Sequence, residues 1–316
     1  MTAWHETPGF AIARARCMVF CNMHLLLPLT ASFLFVVGLI LIKRAGVAGV
    51  SPITTLLVTN LSSCLAFSVL WSLGGTFRGW PLLWQPAVIA GLFMLGLTLT
   101  FAAIERGDVS IATPVFGVKV VFVALLLTAF KLQELPMAVW YAAVLATIGI
   151  AMIQWTGRGH PKRIVFTVAL ALSAAVSFAT FDVLIQRWAP SWGAGRFIPI
   201  VYWIVGLTSL AMLPWARWDE LRQPHVLRTL LLGCFFISMQ AICIVVAVAV
   251  FGDAARVNVV YALRGLWGVL LAWAIAKIWG GAESEHSSAV MLTRAAGAIV
   301  LTSAVILVIL SSRSAG

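Results

Sequence analysis

The chain has 316 residues, of which 62 % are hydrophobic and only 10 % charged, with a formal net charge of +11. Its mean hydropathy is +1.05. A soluble domain carries about 45–50 % apolar and about 25 % charged residues, so a water-soluble fold is excluded and a polytopic membrane protein is expected. The positive charge does not point to nucleic acid. Most Lys and Arg lie at the ends of apolar runs (Lys43-Arg44, Arg158 to Arg163, Arg217 to Arg228), where cations set topology and meet lipid headgroups. Cys17, Cys21, Cys64, Cys234 and Cys243 show no CxxC or Cys/His ligand spacing, so neither a disulfide framework nor a metal site is expected.

In chain order, residues 1–23 read as an N-terminal tail with Arg14 and Arg16, followed by a retained first helix whose apolar run is too long for a signal peptide. A spanning helix needs about 20 apolar residues. Ten segments qualify: 24–43, 53–74, 82–104, 109–130, 136–156, 164–187, 197–215, 229–251, 256–278 and 290–311. Tryptophans gather at their ends (Trp71, Trp80, Trp84, Trp155, Trp188, Trp215, Trp218, Trp279), as in an interfacial belt. The absence of period-2 alternation excludes an outer-membrane barrel. Thr54, Thr55, Thr59, Asn60, Ser62 and Ser63 in the second span suit hydrogen bonds between helices. Gly91 with Gly96, and Ala295-Ala296-Gly297-Ala298, suit close helix packing. Asp108 and Asp253 read as caps of the fourth and ninth spans.

The two halves of the chain match. An offset of 145 places Gly252-Asp253 on Gly107-Asp108, Tyr261 on Phe116, Arg264 on Lys119 and Trp267 on Phe122. Ile42-Lys43-Arg44 at the end of the first span likewise resembles Ile185-Gln186-Arg187 at the end of the sixth. Five spans per half is an odd number, so a second copy inserts upside down, a recurrent transporter design. The expected fold is an all-α membrane protein of ten transmembrane helices in a five-plus-five inverted repeat. Its units are the tail (1–23), a first five-helix repeat (24–156) and a second (157–316).

Lys119 falls ten residues into the fourth span, which is about 15 Å into a ~30 Å core. The repeat gives Arg264 an equivalent depth. A cation near a bilayer centre costs roughly 2.5–3.5 kcal/mol on insertion scales, so the pair is a candidate functional site. Phe116 and Phe122 bracket Lys119 at one helical turn, and Tyr261 and Trp267 bracket Arg264. The six residues form a candidate substrate-binding site in which the cations hold an anionic group and the rings contact the ligand body. The competing reading is structural: each cation pairs with Asp182, Glu105, Asp108 or carbonyls near Pro114, and the rings simply pack. Asp182, inside the sixth span, is the candidate for proton coupling or for neutralising Lys119 or Arg264. The reading preferred from sequence is a local ion pair with Arg187, a turn or so away.

With the layout, Ala102-Ala103-Ile104 leading through Gly107-Asp108, the Leu132-Gln133-Glu134 turn and Gly149-Ile150-Ala151, the chain resembles the EamA-like ten-span members of the drug/metabolite transporter superfamily. It departs from them in lacking a proline at the helix centre, Pro114 lying about two turns earlier. The resemblance implies a permease for small organic metabolites in the plasma (bacterial inner) membrane, with both termini cytoplasmic. The Lys/Arg distribution leans the other way, toward termini outside. The function expected is secondary transport of a small, anionic metabolite by alternating access, with membrane lipids as the other partner and no cofactor. The alternative is a flippase or accessory subunit for a lipid-linked phosphate. No paired carboxylates, HExxH, nucleophile elbow or Walker-type loop is found, so an enzyme is not expected.

Overall fold

A computed structural model describes the backbone of residues 8–105, 115–153, 164–279 and 288–313, and the side chains of 24–103, 115–153, 165–271 and 292–311. Asp108, Pro114, Trp155, Glu283 and the basic connector 158–163 lie outside the described residues, as do the side chains of Cys17, Cys21, Glu105 and Trp279.

Among the described residues the chain is helical without a strand: α1 (Pro8–Val47), α2 (Pro52–Phe67), α3 (Trp84–Glu105), α4 (Lys119–Ala129), α5 (Met137–Ile153), α6 (Ile164–Trp192), α7 (Ala194–Ser209), α8 (Pro224–Phe251), α9 (Ala254–Tyr261), α10 (Arg264–Trp279) and α11 (Ser288–Arg313). In hydrocarbon every backbone N–H and C=O must be satisfied internally, which long apolar sequences achieve by helix formation. Eight helical stretches of the described residues are long and apolar enough to cross a membrane; one of them runs through α9 and the start of α10, and α4 and α5 are shorter. The protein is an integral membrane protein. Helix α1 starts well before residue 24, so part of the polar N-terminal stretch continues the first helix.

Local chemistry fixes the ends. Ser51 caps α2, with Pro52 at the first helical position. Asp253 caps α9, its carboxylate accepting from Arg256 N–H at 3.3 Å and pairing with the Arg256 guanidinium at 2.9 Å. Helices α2 and α7 have the same length, and each tightens into a six-residue 3₁₀ turn (Ser68–Leu73 and Leu210–Trp215). Trp80, Trp84, Trp215 and Trp218 are exposed at span ends, as a belt requires, whereas Trp192 is buried and donates to Gln85 at 2.9 Å.

Packing runs mainly between the two halves of the sequence. Helix α1 lies along α8, α3 along α6, α5 along α11, and α2 against α7 and α8. The polar side of α2 hydrogen-bonds across these contacts as expected: Asn60 donates to Ser209 at 2.8 Å, and Ser63 shares a 3.0 Å bond with Ser238. Where α2 crosses α7, Phe67 also stacks on Tyr202, with ring centroids 3.5 Å apart. The α5–α11 crossing is backbone on backbone. A Cβ on Gly149 would sit 2.9 Å from Gly297 O and 2.8 Å from Leu301 N; one on Gly297 would meet Ile153 N at 2.8 Å. Gly96 packs against the Phe178 ring, while Gly91 meets nothing within 4 Å and is not part of a helix contact.

Gly149→Ala and Gly297→Ala should each lower stability by about 1–3 kcal/mol, since neither crossing backbone can yield locally. Gly91→Ala should leave the thermal midpoint unchanged. Unfolding curves of the three variants in one detergent check this.

Candidate functional site

The two candidate cations begin helices. The chain turns through Gly117-Val118 before Lys119 opens α4, and through Ala262-Leu263 before Arg264 opens α10. Hydrogen bonding is the same at both turns. Val118 N–H bonds Val115 C=O (3.0 Å), Val120 bonds Gly117 (3.3 Å) and Phe122 bonds Val118 (3.1 Å); Leu263 bonds Val260 (3.1 Å), Gly265 bonds Ala262 (3.0 Å) and Trp267 bonds Leu263 (3.0 Å). The offset of 145 relates every one of these pairs. Val118 (φ −62°, ψ −18°) and Ala262 (φ −58°, ψ −22°) keep helical backbone angles, so each turn is a short 3₁₀-type tightening within its span.

Lys119 donates to Asp182 at 2.8 Å, with side-chain exposures of 17 % and 3 %. Its ammonium also lies 5.9 Å from the Phe178 ring centroid. Asp182 accepts a second bond from the Asn258 amide at 2.7 Å, and that amide's other donor goes to Ala254 C=O at 2.9 Å. Gln186 extends the row. Its carbonyl accepts from Ala254 N–H at 2.9 Å, at the start of α9, and its amide donates to Gln133 at 3.3 Å. Phe178, Asp182 and Gln186 are four residues apart and share one face of α6. Arg187, five residues from Asp182 and about 140° around the axis, cannot share that face. The local Asp182–Arg187 pair is therefore replaced by Asp182–Lys119, and Arg187 is exposed.

Arg264 is surrounded differently. Its guanidinium lies 4.7 Å over the Tyr261 ring and 5.1 Å over Phe35 of α1. Among the described residues no carboxylate comes within salt-bridge distance of it. Tyr261 is buried and donates its hydroxyl to Gln240 of α8 at 2.9 Å.

The structure thus joins Lys119 with Asp182, and Arg264 with Tyr261. The other expected rings pack elsewhere. Trp267 gives its indole N–H to Ser32 at 3.0 Å and meets Phe33 edge-on at 5.7 Å. Phe116 rests near Ala103 and Ala171, and Phe122 joins the main apolar core. The ring nearest Lys119 is Phe178, because the Asp182 carboxylate draws the lysine stem toward α6. Phe35, Phe178, Gln240 and Asn258 were not singled out from sequence. Among the described residues no group of three His, Cys, Asp or Glu side chains could hold a metal ion. A cavity of about 440 Å³ lies away from these cations, at one end of the bundle, lined by Trp71, Gly75, Phe77, Trp80, Leu83, Arg196 and Ile200.

Removing one member of a buried ion pair strands the other, at a cost of about 3–5 kcal/mol, whereas replacing both by apolar groups is often close to neutral. Lys119→Met and Asp182→Leu should each destabilise by that order. The double variant should recover most of the loss, as read by unfolding midpoints.

No family model matches the chain. A protein of Archaeoglobus fulgidus described as an uncharacterized transporter is 27 % identical over 168 residues, which are 52 % of this chain and 55 % of that protein. The match therefore spans about half the length of that relative. A crystal structure of another protein superposes with a TM-score of 0.65 at 15 % identity, over 93 % of this chain and 98 % of that one. The shared fold is what that likeness shows.

Proposed function

We propose that the chain is a secondary transporter for a small organic anion in the plasma (bacterial inner) membrane. Its ten spans form a five-plus-five inverted repeat of the drug/metabolite transporter type, α9 and α10 counting as one span. The observation that carries this reading is the matched pair of tightened helical turns, each followed by a cation beside an aromatic ring. Support comes from the relative named as a transporter, and from packing that pairs α1–α8 with α6–α3 and joins α5 to α11 and α2 to α7.

The mechanism we propose is alternating access, with moving bodies drawn from both halves of the sequence. Helices α1, α8, α9 and α10 make one body, with Phe35, Tyr261 and Arg264. Helices α3, α4 and α6 make the other, with Lys119, Phe178 and Asp182. The Asn258–Asp182 bond ties the two bodies together. Protonation of Asp182 would remove the counter-charge of Lys119, which gives proton coupling a route.

The purified protein should be stabilised by anionic metabolites and not by neutral or cationic ones. A ligand at 100 times its Kd adds about 2.7 kcal/mol to a reversible unfolding reaction. Arg264→Gln should abolish the effect. Stabilisation by anions that survives in Arg264→Gln would end this reading.

A further inference from the structure

The cavity at one end of the bundle is built where two corners of the chain meet: the loop between α2 and α3, and the turn between α6 and α7. Thr76 N–H bonds Trp192 C=O at 2.8 Å, and Arg78 donates from Nε to Ser191 C=O at 2.6 Å. Gly75 (φ +126°) and Gly193 (φ +81°) hold backbone conformations that side chains oppose. They also touch. A Cβ on Gly193 would stand 2.8 Å from Gly75 Cα, and one on Gly75 would stand 2.5 Å from Trp192 O. The corners are locked backbone to backbone, so the cavity is preformed.

Its volume of about 440 Å³ lies within the ~300–1,000 Å³ usual for small-ligand sites. Arg196, in the first turn of α7, lines it together with Trp71, Phe77 and Trp80. The guanidinium lies 5.1 Å over the Trp71 ring, and its Nε donates to Gly75 C=O at 3.4 Å. Stacking on a ring leaves the edge of the guanidinium fork for an oxygen ligand. Charge around the cavity has one sign. Residues 71–84 carry Arg78, and residues 187–203 carry Arg187 and Arg196, with no Asp or Glu in either stretch. An apolar row leads away from it. Arg196, Ile200, Trp203 and Leu207 follow one face of α7, with Trp203 and Leu207 exposed. Trp203 donates to Ser68 at the end of α2 at 3.0 Å, and Leu65 and Val69 beside Ser68 are exposed as well. Arg196 to Leu207 spans about 16 Å, half of a ~30 Å hydrocarbon core.

We propose that this cavity is a binding site for an anionic phospholipid of the surrounding bilayer. The lipid phosphate sits on Arg196, its glycerol headgroup lies among Trp71, Phe77 and Trp80, and an acyl chain descends along Trp203 and Leu207. Basic pockets between spans take anionic headgroups, and a phosphate on a guanidinium makes charge-assisted hydrogen bonds. A zwitterionic lipid would bring a further cation to an end that already has three arginines. A soluble phosphate would use Arg196 but leave the apolar row without an occupant.

Purified protein is titrated with detergent micelles holding equal phosphatidylglycerol and phosphatidylcholine, and bound lipids are counted by native mass spectrometry. The wild type should take phosphatidylglycerol first, by about fivefold, the worth of one arginine near an anionic lipid. Arg196→Gln should remove that preference. Ile200→Phe should remove it too, by filling the cavity while keeping the charge, and it decides the matter alone if Arg196→Gln does not fold. Arg222→Gln, on the exposed loop before α8, should keep it. Equal binding of the two lipids to the wild type would overturn the assignment. So would a preference that survives in folded Arg196→Gln or Ile200→Phe, or one lost equally in Arg222→Gln. Displacement of the lipid by glycerol phosphate alone would give the site to a soluble anion and refute the lipid.

Discussion

The need to neutralise Lys119 away from water sets how α4, α6 and α9 meet. A buried ammonium is tolerated only when a carboxylate stands close and the remaining lone pairs of that carboxylate are occupied. Asp182 meets the first condition, and Asn258 helps with the second by spending one amide donor on it and the other on its own helix. The face of α6 is therefore turned toward both α4 and α9. Gln186, one turn further along, then reaches the first free N–H of α9. Three helices are placed by one charge.

The rest of the bundle is shaped by small residues and by packing between the two halves of the sequence. Gly38 on α1 faces Gly233 on α8, Gly96 on α3 faces Phe178 on α6, and Gly149 faces Gly297. Such contacts suit helices in lipid, where no hydrophobic force drives association and close backbone approach replaces it. The two halves of the sequence interleave rather than sit side by side, so each described helix finds its main neighbour in the other half.

Much of this was legible in the sequence. Apolar runs of spanning length fixed the helices, and one numerical offset exposed Lys119 and Arg264 as equivalents. What that offset hid is equally instructive. The fourth and ninth spans repeat at 145, the first and sixth at 143, and α2 and α7 repeat their ends at 142, because the connectors differ in length by a residue or more. Phe35 and Phe178 therefore fall out of register when the halves are slid as rigid strings. The tightened turn of the ninth span was invisible for another reason: Ala262-Leu263 carries neither proline nor glycine to mark it. The partner of Asp182 was misread because Arg187 is near in sequence, whereas Lys119 becomes near only once α4 docks on α6.

The glycine crossing of α5 and α11 has a mechanical meaning. Interdigitated side chains act as gear teeth and resist rotation; two smooth backbones in contact act as a bearing. At Gly149 and Gly297 the two helices touch through amide and carbonyl atoms with no Cβ of either glycine between them. A crossing of that kind lets two helices turn against each other without unlocking side chains, and it lies close to the turn that precedes Lys119, whose Gly117 carbonyl accepts from Thr147 of α5.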